Sequence, residues 1–127
     1  MNVLKYHWRA ILWVGLIAVA CLTPNDSMPS SSFLSRIPHF DKVVHFMLYS
    51  VFTLFLMSGF SRQYRKTVPK AYVYSFLIAF SLGVTIEFIQ EYVQRGYDVV
   101  DMAANTAGII VALSLFNTVK WILRNIL

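Results

Sequence analysis

The stretch EFIQEYVQRGYDVVDMAAN, residues 87–105, sets five charges, two glutamines and an asparagine between two apolar runs. Reading it as a loop between two helices decides the fold. Before it, residues 71–88 are almost wholly apolar; after it, residues 102–122 are as well. Two further runs precede these, one from Trp8 to Leu22 and one from Val43 to Phe60. A helix rising 1.5 Å per residue needs about 20 residues to cross the hydrocarbon core of a bilayer. The last three runs meet that length, the third by extending to Tyr92. The first is shorter and draws on Tyr6, His7 and Thr23 at its rims. The apolar residues are continuous and do not alternate, which excludes a membrane β-barrel.

Composition supports lipid as the solvent. The chain has 127 residues, of which 57% are hydrophobic and only 13% charged, and its mean hydropathy is +0.59. A soluble domain carries about a quarter charged residues, and a chain this short cannot hide so much apolar surface inside itself. The expectation is an all-α membrane protein: one domain over residues 1–127, a bundle of four transmembrane helices near 6–23, 42–60, 69–92 and 101–124. Spanning backbone must satisfy its own hydrogen bonds, and helices do so.

The first run also resembles a signal peptide, with Lys5 and Arg9 ahead of it and AVAC at 18–21 as an A-x-A-like site. Because the chain retains this segment, it is read as an uncleaved helix. Cys21 is the single cysteine, so no internal disulfide forms, and it is read as a small buried helix residue.

Basic residues set the expected orientation. Arg62, Arg65, Lys66 and Lys70 crowd the segment 61–70 without an acid, the N-terminus carries Lys5 and Arg9, and the C-terminus Lys120 and Arg124. The positive-inside rule places these segments in the cytoplasm, N-in and C-in. Topology accounts for the basic loop, so no nucleic-acid partner is expected. Tyr92, Tyr97, Trp8 and Trp121 read as interfacial anchors.

The polar stretch then falls at the outer end of the bundle, together with HFDKVVHFMLY at 39–49. Asp41, His45 and Tyr49 share a face at i, i+4, i+8. Gly83, Glu87, Gln90 and Gln94 make a stripe on the third helix, and Asp101, Asn105, Gly108 and Ala112 one on the fourth. Polar groups from three helices at similar depth normally face the bundle interior, which suggests an outward-open pocket. Each also has a plainer role. Asp41 and Asp101 suit N-caps; Glu87 suits a buried partner for Arg95 or His45; Gly83, Ala104, Gly108 and Ala112 suit close helix packing.

These residues resemble the bacterial VanZ-like family, named after an accessory protein of teicoplanin resistance. Its pattern, D-K-x-x-H-F-x-x-Y, then G-x-x-x-E-x-x-Q, then R-x-x-D-x-x-D-x-x-x-N-x-x-G, is met in register. Asp41, Lys42, His45, Phe46, Tyr49, Gly83, Glu87, Gln90, Arg95, Asp98, Asp101, Asn105 and Gly108 carry it. Gln94 stands where the family often has proline, and Ala112 where a second glycine is common. The resemblance implies a multi-pass protein of the bacterial cytoplasmic membrane linked in some members to antibiotic tolerance. It implies no settled reaction, substrate or cofactor.

Three functions compete. The first is binding of an envelope ligand, such as a lipid-linked phosphate, a peptidoglycan group, another glycan or a glycopeptide antibiotic. Helix N-termini with Lys42 and Arg95 favour an anion. However, Asp41, Glu87, Glu91, Asp98 and Asp101 outnumber those two bases and favour a cationic or hydrogen-bonding ligand. The second is an enzyme with Glu87 and His45 as acid and base; no Ser or Cys nucleophile stands in the motifs, and the reading leans away from catalysis. The third is a small dimeric transporter, disfavoured because the polar groups sit near one face and not at midplane. No cofactor is expected, and no metal, since no two-histidine spacing supports zinc. Membrane lipid is an expected partner, and a homo-oligomer is left open.

Overall fold

The computed structural model describes residues 3–22, 40–65, 67–93 and 98–126, with side chains described as far as Ile122. These residues form four helices: α1 (Val3–Leu22), α2 (Phe40–Gln63), α3 (Val68–Tyr92) and α4 (Val99–Ile126). Each is long and apolar enough to cross a membrane. They run a little beyond the expected limits because the polar residues at their ends continue the helix. Asp41 and Asp101 lie in first turns and Arg62 in a last turn, where each charge complements the helix dipole. Pro69 opens α3, where its missing N–H costs nothing.

Contacts fix an up-and-down arrangement. His7 of α1 reaches Gln63 at the end of α2 (3.1 Å); Lys42 at the start of α2 meets Asp98 and Asp101 at the start of α4. The start of α1 and the end of α2 therefore share one end of the bundle, and the starts of α2 and α4 share the other. At that second end Gln90 of α3 donates from Nε2 to the Cys21 carbonyl of α1 (2.8 Å). Cys21 is buried, as the sequence suggests.

The most extensive interface is between α2 and α4, and Gly108 makes it close. A Cβ on Gly108 would strike the Phe46 carbonyl oxygen of α2 and lie 2.9 Å from Ser50 Oγ. The Ser50 hydroxyl stands 2.7 Å from Phe46 O and 3.1 Å from Gly108 O, bridging the two helices. Ala112, one turn on, is buried and Ala104 half-buried, so the small-residue stripe does face its neighbour.

The core joins Ile17, Tyr49, Phe52, Leu56, Ala79, Ile86 and Ile109, with a second cluster of Met57, Ala71 and Phe116. Outside, Leu12, Val19, Leu77, Ile110 and Trp121 are exposed, and Tyr92 is 85% exposed. Meanwhile His45, Thr53, Ser75, Glu87, Gln90 and Asn105 are buried. Polar inside and apolar outside is the distribution of a bundle in lipid. Several hydroxyls on the helices bond back to the carbonyl four residues earlier, as Thr53, Thr85, Thr106 and Ser114 do at 2.7–2.9 Å, which satisfies them without water. The protein is a multi-pass helical membrane protein.

Candidate functional site

At the end shared by the starts of α2 and α4, charged groups from three helices meet. Lys42 Nζ of α2 touches three carboxylates: Asp41 at 2.9 Å, Asp98 at 3.0 Å and Asp101 at 3.1 Å. Asp98 also accepts from the Val100 N–H at Oδ1 (2.8 Å). It therefore caps α4, and the expected capping by Asp101 is corrected: Asp101 lies inside the first turn and is turned inward to Lys42. Similarly, α2 begins at Phe40, so Asp41 lies within its first turn and answers Lys42 instead. The Lys42 ammonium beside Asp98 holds that carboxyl below the ordinary aspartate value, with the Val100 N–H adding to the effect.

One turn deeper, His45 stands between α3 and α4. Its Nδ1 is 2.9 Å from Asn105 Oδ1 and 3.9 Å from Glu87 Oε1; its Nε2 is 3.7 Å from Asp101 Oδ2. The Nδ1 contact is a hydrogen bond; the two carboxylate contacts are too long to be. Glu87 is fully buried, and its Oε2 accepts from the Asp98 N–H (3.2 Å). The residues leading into α4 thus fold back onto Glu87 through the main chain. The expected partner Arg95 lies outside the described residues.

Of the anticipated set, Lys42, His45, Glu87, Asp98, Asp101 and Asn105 form one network, with Asp41 at its exposed edge. Tyr49 and Gln90 are buried beside it, but Gln90 serves α1 through Cys21. Gly83 belongs here for a steric reason: a Cβ on it would lie 3.5 Å from Asn105 Nδ2 and 3.4 Å from Tyr49 Cε1. The outward-open pocket takes a different form. His45, Tyr49, Glu87, Gln90 and Asn105 are all under 3% exposed. A cleft between α3 and α4 reaches Gly83 and Asn105 but has no room for a water. Packed though it is, the cluster leaves Tyr49 OH, Glu87 Oε1, Gln90 Oε1 and Asn105 Nδ2 buried without hydrogen-bond partners. Such atoms cost about 1–3 kcal/mol each when left so.

Two groups have metal-like spacing, with donor atoms within 4.8 Å of one another: His45, Glu87 and Asp101, and Asp41, Asp98 and Asp101. In the second, Lys42 already supplies the cation. In the first, Lys42 reaches Asp101 alone (3.1 Å), and no lysine or arginine pairs with His45 or Glu87 among the described residues.

Sequence reasoning missed the opposite end. There His7 is buried, its ring 4.4 Å from Phe60, and it packs on Gly59, where a Cβ would meet His7 and the Tyr6 carbonyl. His7, expected near the rim of the first helix, is also an α1–α2 packing contact. Beside it, between α2, α3 and α4, lies a cavity of about 410 Å³ lined by Ser58, Ser61, Arg62, Arg65, Val68, Phe116 and Lys120. Gly59 and His7 belong to different runs, and only the fold pairs them.

The fold and this buried, charged end define a class: small multi-pass membrane proteins with ionisable groups converging from three helices. The VanZ/LLP1 family model matches residues 3–122, and the chain belongs to that family. No curated protein and no solved structure matches it significantly.

Proposed function

We propose that this protein lies in the bacterial cytoplasmic membrane with both termini inside, and that the polar end of α2, α3 and α4 faces out to bind a cell-envelope ligand. The observation that carries this reading is the set of buried polar atoms without partners around Glu87. Four of the six buried side-chain atoms without partners among the described residues gather here, the others being His7 Nδ1 and Ser75 Oγ, and ionisable groups buried at membrane depth point to function. Among the described residues, Asp41, Glu87, Asp98 and Asp101 stand against Lys42, which favours a ligand that brings positive charge or hydrogen-bond donors, such as an amine-bearing glycan or a glycopeptide, over a bare phosphate. Binding there would serve tolerance of envelope-directed antibiotics.

The experiment is Glu87→Gln, which keeps shape and removes charge. A variant that reaches wild-type levels in the membrane yet loses tolerance to teicoplanin supports the reading, and His45→Asn and Asn105→Ala are expected to match it. Full tolerance in well-folded Glu87→Gln sinks it. Orientation has its own test. With Cys21 replaced, single cysteines at Ser31 and Gly96 are expected to react with an impermeant maleimide in intact cells, and one at Arg65 to be protected. The reverse pattern inverts the topology.

A second reading has one specific support, the Glu87 Oε1 facing the His45 ring at 3.9 Å. A carboxyl and an imidazole so placed suit acid–base chemistry on an envelope lipid or glycan. Turnover of a labelled envelope fraction, abolished in Glu87→Gln, distinguishes catalysis from stoichiometric binding.

A further inference from the structure

We propose that His45, Glu87 and Asp101 bind a divalent transition-metal cation. This rests on reading the cluster as a site and specifies what the site holds. The sequence spacing argued against a metal because no second histidine is near; the fold changes the argument by bringing two carboxylates from other helices to one imidazole.

The ring comes first. The Asn105 side-chain oxygen, 2.9 Å from Nδ1, accepts a hydrogen bond from the Nδ1–H, which leaves a lone pair on Nε2. That lone pair faces Asp101 Oδ2 at 3.7 Å. Two electron-rich atoms at this separation in an apolar interior repel unless a cation lies between them. A metal at about 2.1 Å from each of two ligands in tetrahedral array would hold those ligands about 3.4 Å apart. The observed spacing is close to that and too long for a direct hydrogen bond.

The carboxylates follow the same logic. Asp101 gives Oδ1 to Lys42 (3.1 Å) and presents Oδ2 to the ring. Glu87 gives Oε2 to the Asp98 N–H (3.2 Å) and keeps Oε1 buried and unpartnered, 3.9 Å from the Nδ1 edge of the His45 ring. Each acid is held by one oxygen and offers the other. Partners of this kind, with Asn105 behind the histidine, are what orient metal ligands and fix the imidazole tautomer. Donors from all three residues lie within 4.8 Å. One imidazole with two carboxylates suits Zn²⁺, Mn²⁺ or Fe²⁺ better than Mg²⁺ or Ca²⁺, which prefer oxygen throughout. Three protein ligands leave a coordination position open, and an oxygen or nitrogen of the envelope ligand would fill it.

The alternative occupant is a proton, making His45 an imidazolium. Full-length, tag-free protein in detergent, stripped with chelator, decides between them. Titrated with Co²⁺, the wild type is expected to take up about one ion per chain and to develop visible d–d absorption, which Zn²⁺ reverses and Mg²⁺ does not. Asn105→Ala is expected to weaken binding about tenfold. Glu87→Gln, Asp101→Asn and His45→Asn are expected to lose it, each checked for helicity and a monodisperse elution profile. His7→Gln is the control and should bind as wild type. If Glu87→Gln does not fold, Asp101→Asn and the wild-type spectrum carry the test. No Co²⁺ uptake by the wild type, or uptake unchanged in His45→Asn, overturns the cation site. No uptake combined with tolerance lost in folded Glu87→Gln overturns the cation and leaves the ligand-binding reading standing. Uptake combined with full tolerance in folded His45→Asn does the opposite: the cation stands as a brace between helices, and the binding reading falls.

Discussion

The two ends of the bundle carry charge in opposite ways. At one, Lys42 is shared among three carboxylates from two helices and roofs a buried histidine and glutamate. At the other, Arg62, Arg65 and Lys120 line an open cavity of about 410 Å³, and none makes an ion pair among the described residues. The difference teaches what each set of charges is for. Unpaired, half-buried or exposed cations cost little where water and lipid headgroups solvate them, and their arrangement suits fixing orientation. Charges paired across helices and drawn below the surface have paid a desolvation cost that orientation alone does not require. Chemistry is therefore to be sought at the acidic end.

The most disruptive test strikes the glycine that lets each end close. Gly108→Leu drives a side chain into the Phe46 main chain, which cannot move without parting α2 from α4 and so Lys42 from Asp101. We expect a loss of 3 kcal/mol or more, on the order of the larger overpacking costs, seen as little folded protein after extraction. Gly59→Leu meets the His7 ring and the Tyr6 carbonyl of α1. Because α1 packs less extensively than α4 does against α2, it can shift, and a smaller fall in detergent thermal stability is expected. Equal losses at both glycines would erase the asymmetry between the ends.

Next in size is the lysine exchange. Lys42→Met leaves Asp98 and the nearly buried Asp101 without their cation. Lys42 is 21% exposed and Asp101 11% along their side chains, so solvent screens part of the loss, and about 2 kcal/mol is expected in place of the larger value for a wholly buried pair. Lys120→Met, on the basic cavity, is expected to stay within about 0.5 kcal/mol of wild type. Chemical or thermal unfolding in one detergent measures both, and comparable losses would mean that the cavity cations are structural too.

Much of this contrast was legible in the sequence because lipid imposes simple rules. Four apolar runs gave four helices, and polar residues at i, i+4 spacing gave the stripes that meet at His45, Glu87 and Asn105. What the sequence did not carry was partnership. The pattern points to Asp101 as the cap of the fourth helix, and only the start of α4 at Val99 gives that role to Asp98. Glu87 was matched to side chains, Arg95 or His45, whereas its nearest bond comes from a main-chain N–H, which any residue supplies and no pattern marks. Openness differs for a related reason: periodicity gives direction but not depth, and the buried Tyr49 and Asn105 fill the space between the stripes.

The finest probe is Asp98, where one carboxylate does two things. Its Oδ1 caps α4 through the Val100 N–H and its Oδ2 meets Lys42. Asp98→Ala removes both, and the cap alone is worth about 1 kcal/mol. Asp98→Asn keeps a good cap and loses only the charge, so a few tenths of a kcal/mol are expected, Asp98 being 39% exposed in this pair. The acid dependence then isolates what the charge adds. Lys42 lowers the Asp98 carboxyl in the folded protein below the ordinary value of 3.8. A depressed folded value contributes stability that is fully present above 3.8 and is lost as pH falls through the lower, folded value. The pairs that Lys42 makes with Asp41 and Asp101 are common to wild type and Asp98→Asn, so they cancel in the difference to first order. The stability gap between these two proteins should therefore be flat from neutral pH down to about pH 5 and narrow steadily below pH 4. A gap that stays constant through that range would mean that neither Lys42 nor the Val100 N–H favours the charged carboxylate, and would leave Lys42 held by Asp41 and Asp101 without it.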